Sequence, residues 1–183
     1  MGSSWLSDST VSTKWQTFSS AAGVGLANFK KETPWRPPSI VLEADPPLHT
    51  RTRTVLARTM TPGVVKALRE QFEREAEILV DRILDLGEFD GVTDFAEHYP
   101  TKVFPDAVGL PAKGRENLLP YGSMVFNSFG PRNEFTEAAM ANADAVRGWI
   151  MAACARDTLT KDGLGAMIYA AVGFHPTDLD TWD

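Results

Sequence analysis

A chain of 183 residues, 43% hydrophobic and 23% charged, is long enough to bury one substantial core in one globular unit. Its formal charge of −6 argues against nonspecific nucleic-acid binding, and no run approaches the ~18 apolar residues of a membrane-spanning helix. A single cysteine, Cys154, excludes an internal disulfide and fits a reducing, cytoplasmic setting.

Residues 1–14 are rich in Ser and Thr, without the cationic start or long apolar stretch of a secretory signal. They are set aside as a disordered or start-site segment outside the fold. Residues 15–29 predict a short helix followed by a loop, with Gly23 and Gly25 as interruptions. Pro34, Pro37 and Pro38 exclude a regular helix or central strand over 30–39 and stiffen that loop. A helix is expected over 46–59, capped by Asp45 with Pro46 or Pro47 in its first position. His49 and Arg53 lie four apart on one of its faces, so two donors can meet one anionic group there. A capped surface helix with a solvated basic face is the commoner source of such spacing. Arg51, Arg53 and Arg58 make this helix a local basic patch on an acidic chain, suited to an acidic partner.

Thr61 and Pro62 predict the start of a long helix that ends at Leu86 and Gly87. Leu68, Phe72, Ala76, Leu79, Ile83 and Leu86 recur at three and four along its apolar face. Residues 89–92 predict a short strand. Asp94 or Thr93 is expected to cap a helix over 95–108, stopped by Gly109 and Pro111. Further helices are predicted over 113–129, ended by Gly130 and Pro131, then over 133–157 and 162–172. The fold class is mainly α with few short strands, in one domain over 15–172 and a tail over 173–183. Cys154 falls mid-helix in an apolar run and reads as a packing residue. His175 with Asp178, Asp180 and Asp183 lacks helical ligand spacing, so no metal site is assigned and the tail reads as frayed.

Two segments have the makings of a pocket. In Trp35-Arg36-Pro37-Pro38-Ser39-Ile40-Val41-Leu42 the prolines fix the backbone, letting Arg36 and Ser39 present donors at low entropic cost. Arg suits bidentate carboxylate capture, and Leu42 supplies an apolar wall. A rigid surface loop with a solvated Arg36 is the other reading. In Val125-Phe126-Asn127-Ser128-Phe129-Gly130-Pro131 the two Phe residues are three apart and share a face, which core packing also explains.

The run Asp45-Pro46-Pro47-x-His49-x-x-x-Arg53 resembles the C-helix signature of soluble bacterial cytochromes P450. Met60-Thr61-Pro62, Asp94-Phe95-Ala96-Glu97 with Pro100, and Gly109-Leu110-Pro111 resemble later family landmarks, in the family's order. The resemblance covers about residues 15–172 and implies a partial cytochrome P450 fold, from the B to the G helix region. It implies that His49 and Arg53 reach the haem propionates, and that a ferredoxin docks at the basic face with Arg51 and Arg58. The two pocket segments resemble a bacterial group that oxidises para-substituted benzoic acids. That likeness implies Arg36 and Ser39 for the carboxylate, and Leu42, Val125, Phe126 and Phe129 for the ring slot. The implied activity is hydroxylation or O-demethylation of small aromatic carboxylic acids with O2 and ferredoxin-delivered electrons.

The family's thiolate loop, its oxygen-activating Ala-Gly-x-[Asp/Glu]-Thr helix and its late Glu-x-x-Arg have no counterpart in these 183 residues. No catalytic residue is assigned, and the chain alone is expected to be inactive. The alternative reading is a truncated, non-catalytic remnant.

Overall fold

Helix start and stop signals decide most of the architecture in the computed structural model, which describes residues 13–172. In order it contains α1 (Leu48–Thr59), α2 (Pro62–Leu86), a π-helical turn (Gly91–Ala96), α3 (His98–Val108) and a 3-10 turn (Arg115–Asn117). Then follow α4 (Leu118–Ser128), α5 (Glu134–Met140), α6 (Ala143–Ala153) and α7 (Leu164–Val172). There is no strand among the described residues. The segment with His175 and its three Asp residues lies outside them.

The long helix begins as predicted. Pro62 occupies its first turn, and the Thr61 side chain accepts a hydrogen bond from Val64 N at 3.4 Å. Leu79 and Ile83 are buried, and Leu68, Phe72 and Ala76 are half-buried, so the periodic face points into the protein. Leu86 is 51% exposed: the face outruns its packing partner in the last turn.

Several local expectations fail for identifiable reasons. Asp45 does not cap α1. Its carboxylate instead accepts hydrogen bonds from Ser19 Oγ and from Ser20 N, the latter at 3.0 Å, and these hold its carboxyl below the usual range. Pro47 takes the N-cap position, and α1 starts at Leu48. The strand expected over 89–92 is absent. Asp90 Oδ1 accepts from Val92 N and Thr93 N, both at 2.8 Å, and Asp94 Oδ2 accepts from Asp90 N at 2.8 Å. This reciprocal cap turns the chain into the π-helical turn and leaves no extended segment to pair. Asp90 therefore caps the π-helical turn, and α3 starts only at His98, with Glu97 rather than Thr93 or Asp94 at its N-cap and no side-chain cap.

Residues 15–29 form turns rather than a short helix. The predicted helix over 113–129 splits at its start because Gly114 has φ +88°, and a Cβ there would come within 2.0 Å of Trp149 Nε1. The predicted helix over 133–157 is two helices. Asn133 caps α5 by accepting from Phe135 N and Thr136 N, and Asn142, with φ −115°, precedes α6. Cys154 is not mid-helix packing. It is the C-cap of α6 and is exposed, and the desolvation it feels pushes its thiol up, away from the thiolate form.

The helices pack as α1 on α7, α2 on α3, α3 on α7, and α4 on both α5 and α6. Leu110, Ala153 and Leu159 form a buried cluster flanked by Val108, Leu118, Trp149 and Tyr169. Arg115 ties the end of α3 to this cluster. It donates to Asp106 Oδ1 at 2.6 Å, to Leu110 O at 2.6 Å and to Pro111 O at 3.0 Å. Those carbonyls follow a helix end and lack intrahelical donors, so a fixed guanidinium is the natural partner. Met124, with no exposed surface, anchors α4 and thereby the Phe129 end of that helix.

Candidate functional site

The irregular segment before α1 folds back onto the end of α4 and onto α5. Between them lies an open cleft of about 470 Å³, whose lining includes Phe29, Trp35, Arg36, Glu43, Phe129 and Met140. Its walls are joined by a few long-range bonds. Leu26 N donates to Phe129 O at 3.3 Å, Arg132 pairs with Glu32, and Arg147 Nη1 on α6 donates to Trp35 O at 2.7 Å. Trp35 meets Tyr121 edge-on, with centroids 6.1 Å apart. At Gly25 a Cβ would lie 3.1 Å from Phe129 Cα, so the segment presses close to the helix end.

The structure brings two of the six expected substrate residues, Arg36 and Phe129, into this cleft. Ser39, Leu42, Val125 and Phe126 are not among its lining. Leu42 is 58% exposed and Phe126 is 76% exposed, with the Phe126 ring edge-on to Phe129 at 6.5 Å between centroids. Ser39 Oγ accepts from Val41 N at 3.3 Å and from Leu42 N at 3.1 Å, closing a local turn.

Arg36 is neither solvated nor a bare cation. Its Nη1 donates to Glu43 Oε2 at 2.9 Å and to Pro37 O at 2.9 Å, and its Nη2 donates to Glu43 Oε1 at 3.1 Å. The guanidinium also lies 5.9 Å from the Trp35 ring centroid. Glu43 is the residue that sequence reasoning missed. Its side chain is 2% exposed, and it accepts a further bond from Ser39 N at 2.6 Å. The two residues are joined by an irregular proline-containing loop, where neither the helical nor the strand period applies, so no pattern pairs them.

On α1, His49 is half-buried and Arg53 is exposed. Neither side chain has a hydrogen bond or ion pair to another described residue. Two uncommitted nitrogen donors a helical turn apart fit anionic carboxylates such as haem propionates. The iron is a different matter: among the described residues the sole sulfur ligand of thiolate type is Cys154, whose raised thiol does not suit it. Arg51 and Arg58 are exposed on the same helix. No helix among the described residues is long and apolar enough to cross a membrane.

No family model matches the chain. Individual relatives do. The chain is 50% identical over 155 residues to cytochrome p450 CYP199A2 of Rhodopseudomonas palustris, covering 84% of this chain and 38% of that protein. It is 33% identical over 101 residues to cytochrome P450-terp of a Pseudomonas species, covering 55% of this chain and 24% of that protein. It is 31% identical over 140 residues to biflaviolin synthase CYP158A1 of Streptomyces coelicolor, covering 75% of this chain and 33% of that protein. The chain thus spans less than half the length of the curated relatives it matches.

Proposed function

We propose, from the premise that this chain belongs to the cytochrome P450 family, that it forms the substrate-facing part of a haem-thiolate monooxygenase acting on small aromatic carboxylic acids. The observation that carries this reading is the convergence of Arg36 and Phe129 on one cleft. A cation that can donate to both oxygens of a carboxylate and an aromatic face that takes a ring are the two features such a substrate needs. The Trp35–Leu42 and Val125–Pro131 segments supply the likeness to para-substituted-benzoate oxidisers. In this reading Ser39, Leu42, Val125 and Phe126 act from the cleft's margin.

His49 and Arg53 are proposed to hold the haem propionates, with O2 activation as the chemistry that haem supplies when bound. A ferredoxin is proposed to dock on the α1 face bearing Arg51 and Arg58, where its acidic surface meets local positive charge. The chain alone is proposed to lack monooxygenase turnover, because its single cysteine is a helix cap with a raised thiol.

The test is a chimaera in which residues 15–172 replace the matching region of the Rhodopseudomonas palustris relative. The chimaera is expected to bind haem with the thiolate-type carbon monoxide spectrum and to oxidise para-substituted benzoates. A chimaera with that spectrum which leaves aromatic acids untouched rejects the substrate assignment. The same spectrum from the 183-residue chain alone rejects the reading of Cys154.

A further inference from the structure

Glu43 carries a role that the residue pattern did not announce. Its carboxylate is buried, and its partners are Arg36 Nη1 and Nη2 at 2.9 and 3.1 Å and Ser39 N at 2.6 Å. Glu43 N in turn donates to Ser39 O at 2.7 Å, which closes the turn between the two. A guanidinium has five N–H donors arranged in two usable forks. The end fork, Nη1 with Nη2, is filled by Glu43, and the second Nη1 hydrogen goes to Pro37 O. What remains is the side fork, Nε–H with the second Nη2–H. Neither of these has a partner among the described residues, and Arg36 lines the cleft.

We infer that Glu43 is a positioning residue for substrate selection: it grips one edge of Arg36 so that the other edge stands ready for a ligand carboxylate. The inference rests on the proposed recognition of an aromatic acid by Arg36. It adds that the selectivity comes from a fixed fork rather than from a free positive charge. Glu43 cancels the Arg36 charge at contact distance. The cleft also carries Glu32, Arg132 and Glu137, so its five charged residues sum to −1. Long-range attraction therefore does not favour an anion there. A pre-aimed pair of donors does, because the ligand then fixes fewer side-chain torsions on binding.

Removing Glu43 has two opposed effects. It unmasks the Arg36 charge, which favours an acid by at most about fivefold in an open, solvated cleft. It also frees Arg36 to swing, for instance toward Glu137, an exposed residue on the same cleft. Losing one charge-assisted hydrogen bond to the ligand costs about tenfold or more, so loss of aim outweighs gain of charge.

The test titrates the 183-residue chain with benzoate and with benzamide, a neutral ligand of the same shape, following amide shifts by NMR. Wild type is expected to prefer benzoate, and Arg36→Ala to abolish that preference. Glu43→Ala is expected to cut the benzoate-to-benzamide ratio about tenfold while moving benzamide affinity less than about twofold. Glu43→Gln keeps the volume and one acceptor for Ser39 N, and is expected to lower the ratio in a chain whose amide spectrum stays native. An unchanged or increased ratio in both Glu43 variants overturns the inference, since Arg36 then aims itself or Glu43 only mutes its charge. Equal losses for both ligands also overturn it, and mark Glu43 as a structural group. A wild-type chain without preference for benzoate, or a preference that survives Arg36→Ala, rejects the carboxylate reading on which the inference stands. That failure is distinct from a failure of Glu43.

Discussion

Arg147→Ala tests how the cleft wall is held. The Arg147 guanidinium reaches from α6 to Trp35 O at 2.7 Å, linking residues 112 apart in sequence. Its other bond, to Asp144 Oδ1 at 3.0 Å, involves a carboxylate that is 94% exposed and adds little. A hydrogen bond from a charged donor is worth about 1.5–3 kcal/mol, and the 43% exposure of the Arg147 side chain brings this to about 1–2 kcal/mol. The substitution does not touch the other tethers, Leu26 N to Phe129 O and the Trp35–Tyr121 contact, so the wall stays closed in most molecules. The loss is therefore expected as local opening rather than global unfolding. An energy of about 1–2 kcal/mol raises the open population roughly 5- to 30-fold. Amide hydrogen exchange reads this directly: Leu26, Ser39 and Glu43, whose N–H groups are bonded within or across this wall, should exchange faster by that factor. The amides of Leu79 and Ile83 in α2 should not change. Unaltered exchange at Leu26, Ser39 and Glu43 would refute the tether, and equal acceleration in α2 would show that Arg147 supports the whole fold instead.

Other perturbations address the remaining supports. Gly114→Ala forces a Cβ onto a φ of +88° and into the Trp149 indole, so it should cost about 1–3 kcal/mol, measured as a drop in the urea midpoint; no change would mean that the indole moves aside freely. Burial raises the Asp106 carboxyl pKa, but the hydrogen bonds from Lys102 and Arg115 outweigh it and hold the group below the usual carboxylate range. Its stabilisation is therefore present above the unfolded value of about 3.9 and is lost as pH falls through the lower native value; Asp106→Asn should flatten the acid limb of a stability–pH curve, and an identical limb would remove Asp106 from that role. The same contact, chiefly its hydrogen bond to Asp106, raises the Lys102 pKa, so that contribution persists below about 10.4 and fades only at higher pH. In the chimaera, Arg53→Ala should speed haem transfer to apomyoglobin about tenfold or more, for one lost charge-assisted hydrogen bond; an unchanged rate excludes the propionate role.

Features encoded by neighbours in sequence were legible without the fold. Thr61, Pro62 and Gly87 mark the limits of α2 because caps and stops act within one turn, and the spacing from Leu68 to Ile83 names its inner face. The ordered motifs around His49, Thr61 and Gly109 identified the family, since each is a short run of adjacent residues. Misplaced elements were those where two local signals competed. Asp90 capped a π-helical turn ahead of the expected helix and removed a strand, while Asn133 and Asn142 divided one periodic stretch into two helices.

The site divides along the same line. Sequence alone proposed Arg36 and Phe129 as residues of one pocket, by resemblance, and the fold brings both to the cleft. What Arg36 does there was decided by tertiary structure. Glu43 stands close to the Asp45-Pro46-Pro47 run and reads as part of that helix entry until the proline loop turns and lays its carboxylate against the guanidinium. Arg147 and Trp35, like Leu26 and Phe129, meet only because helices a hundred residues downstream pack beside the loop. Caps and amphipathic faces need a few consecutive residues to be recognised. A buried ion pair across an irregular loop has no period, and its partners are fixed only once the chain between them has chosen its path.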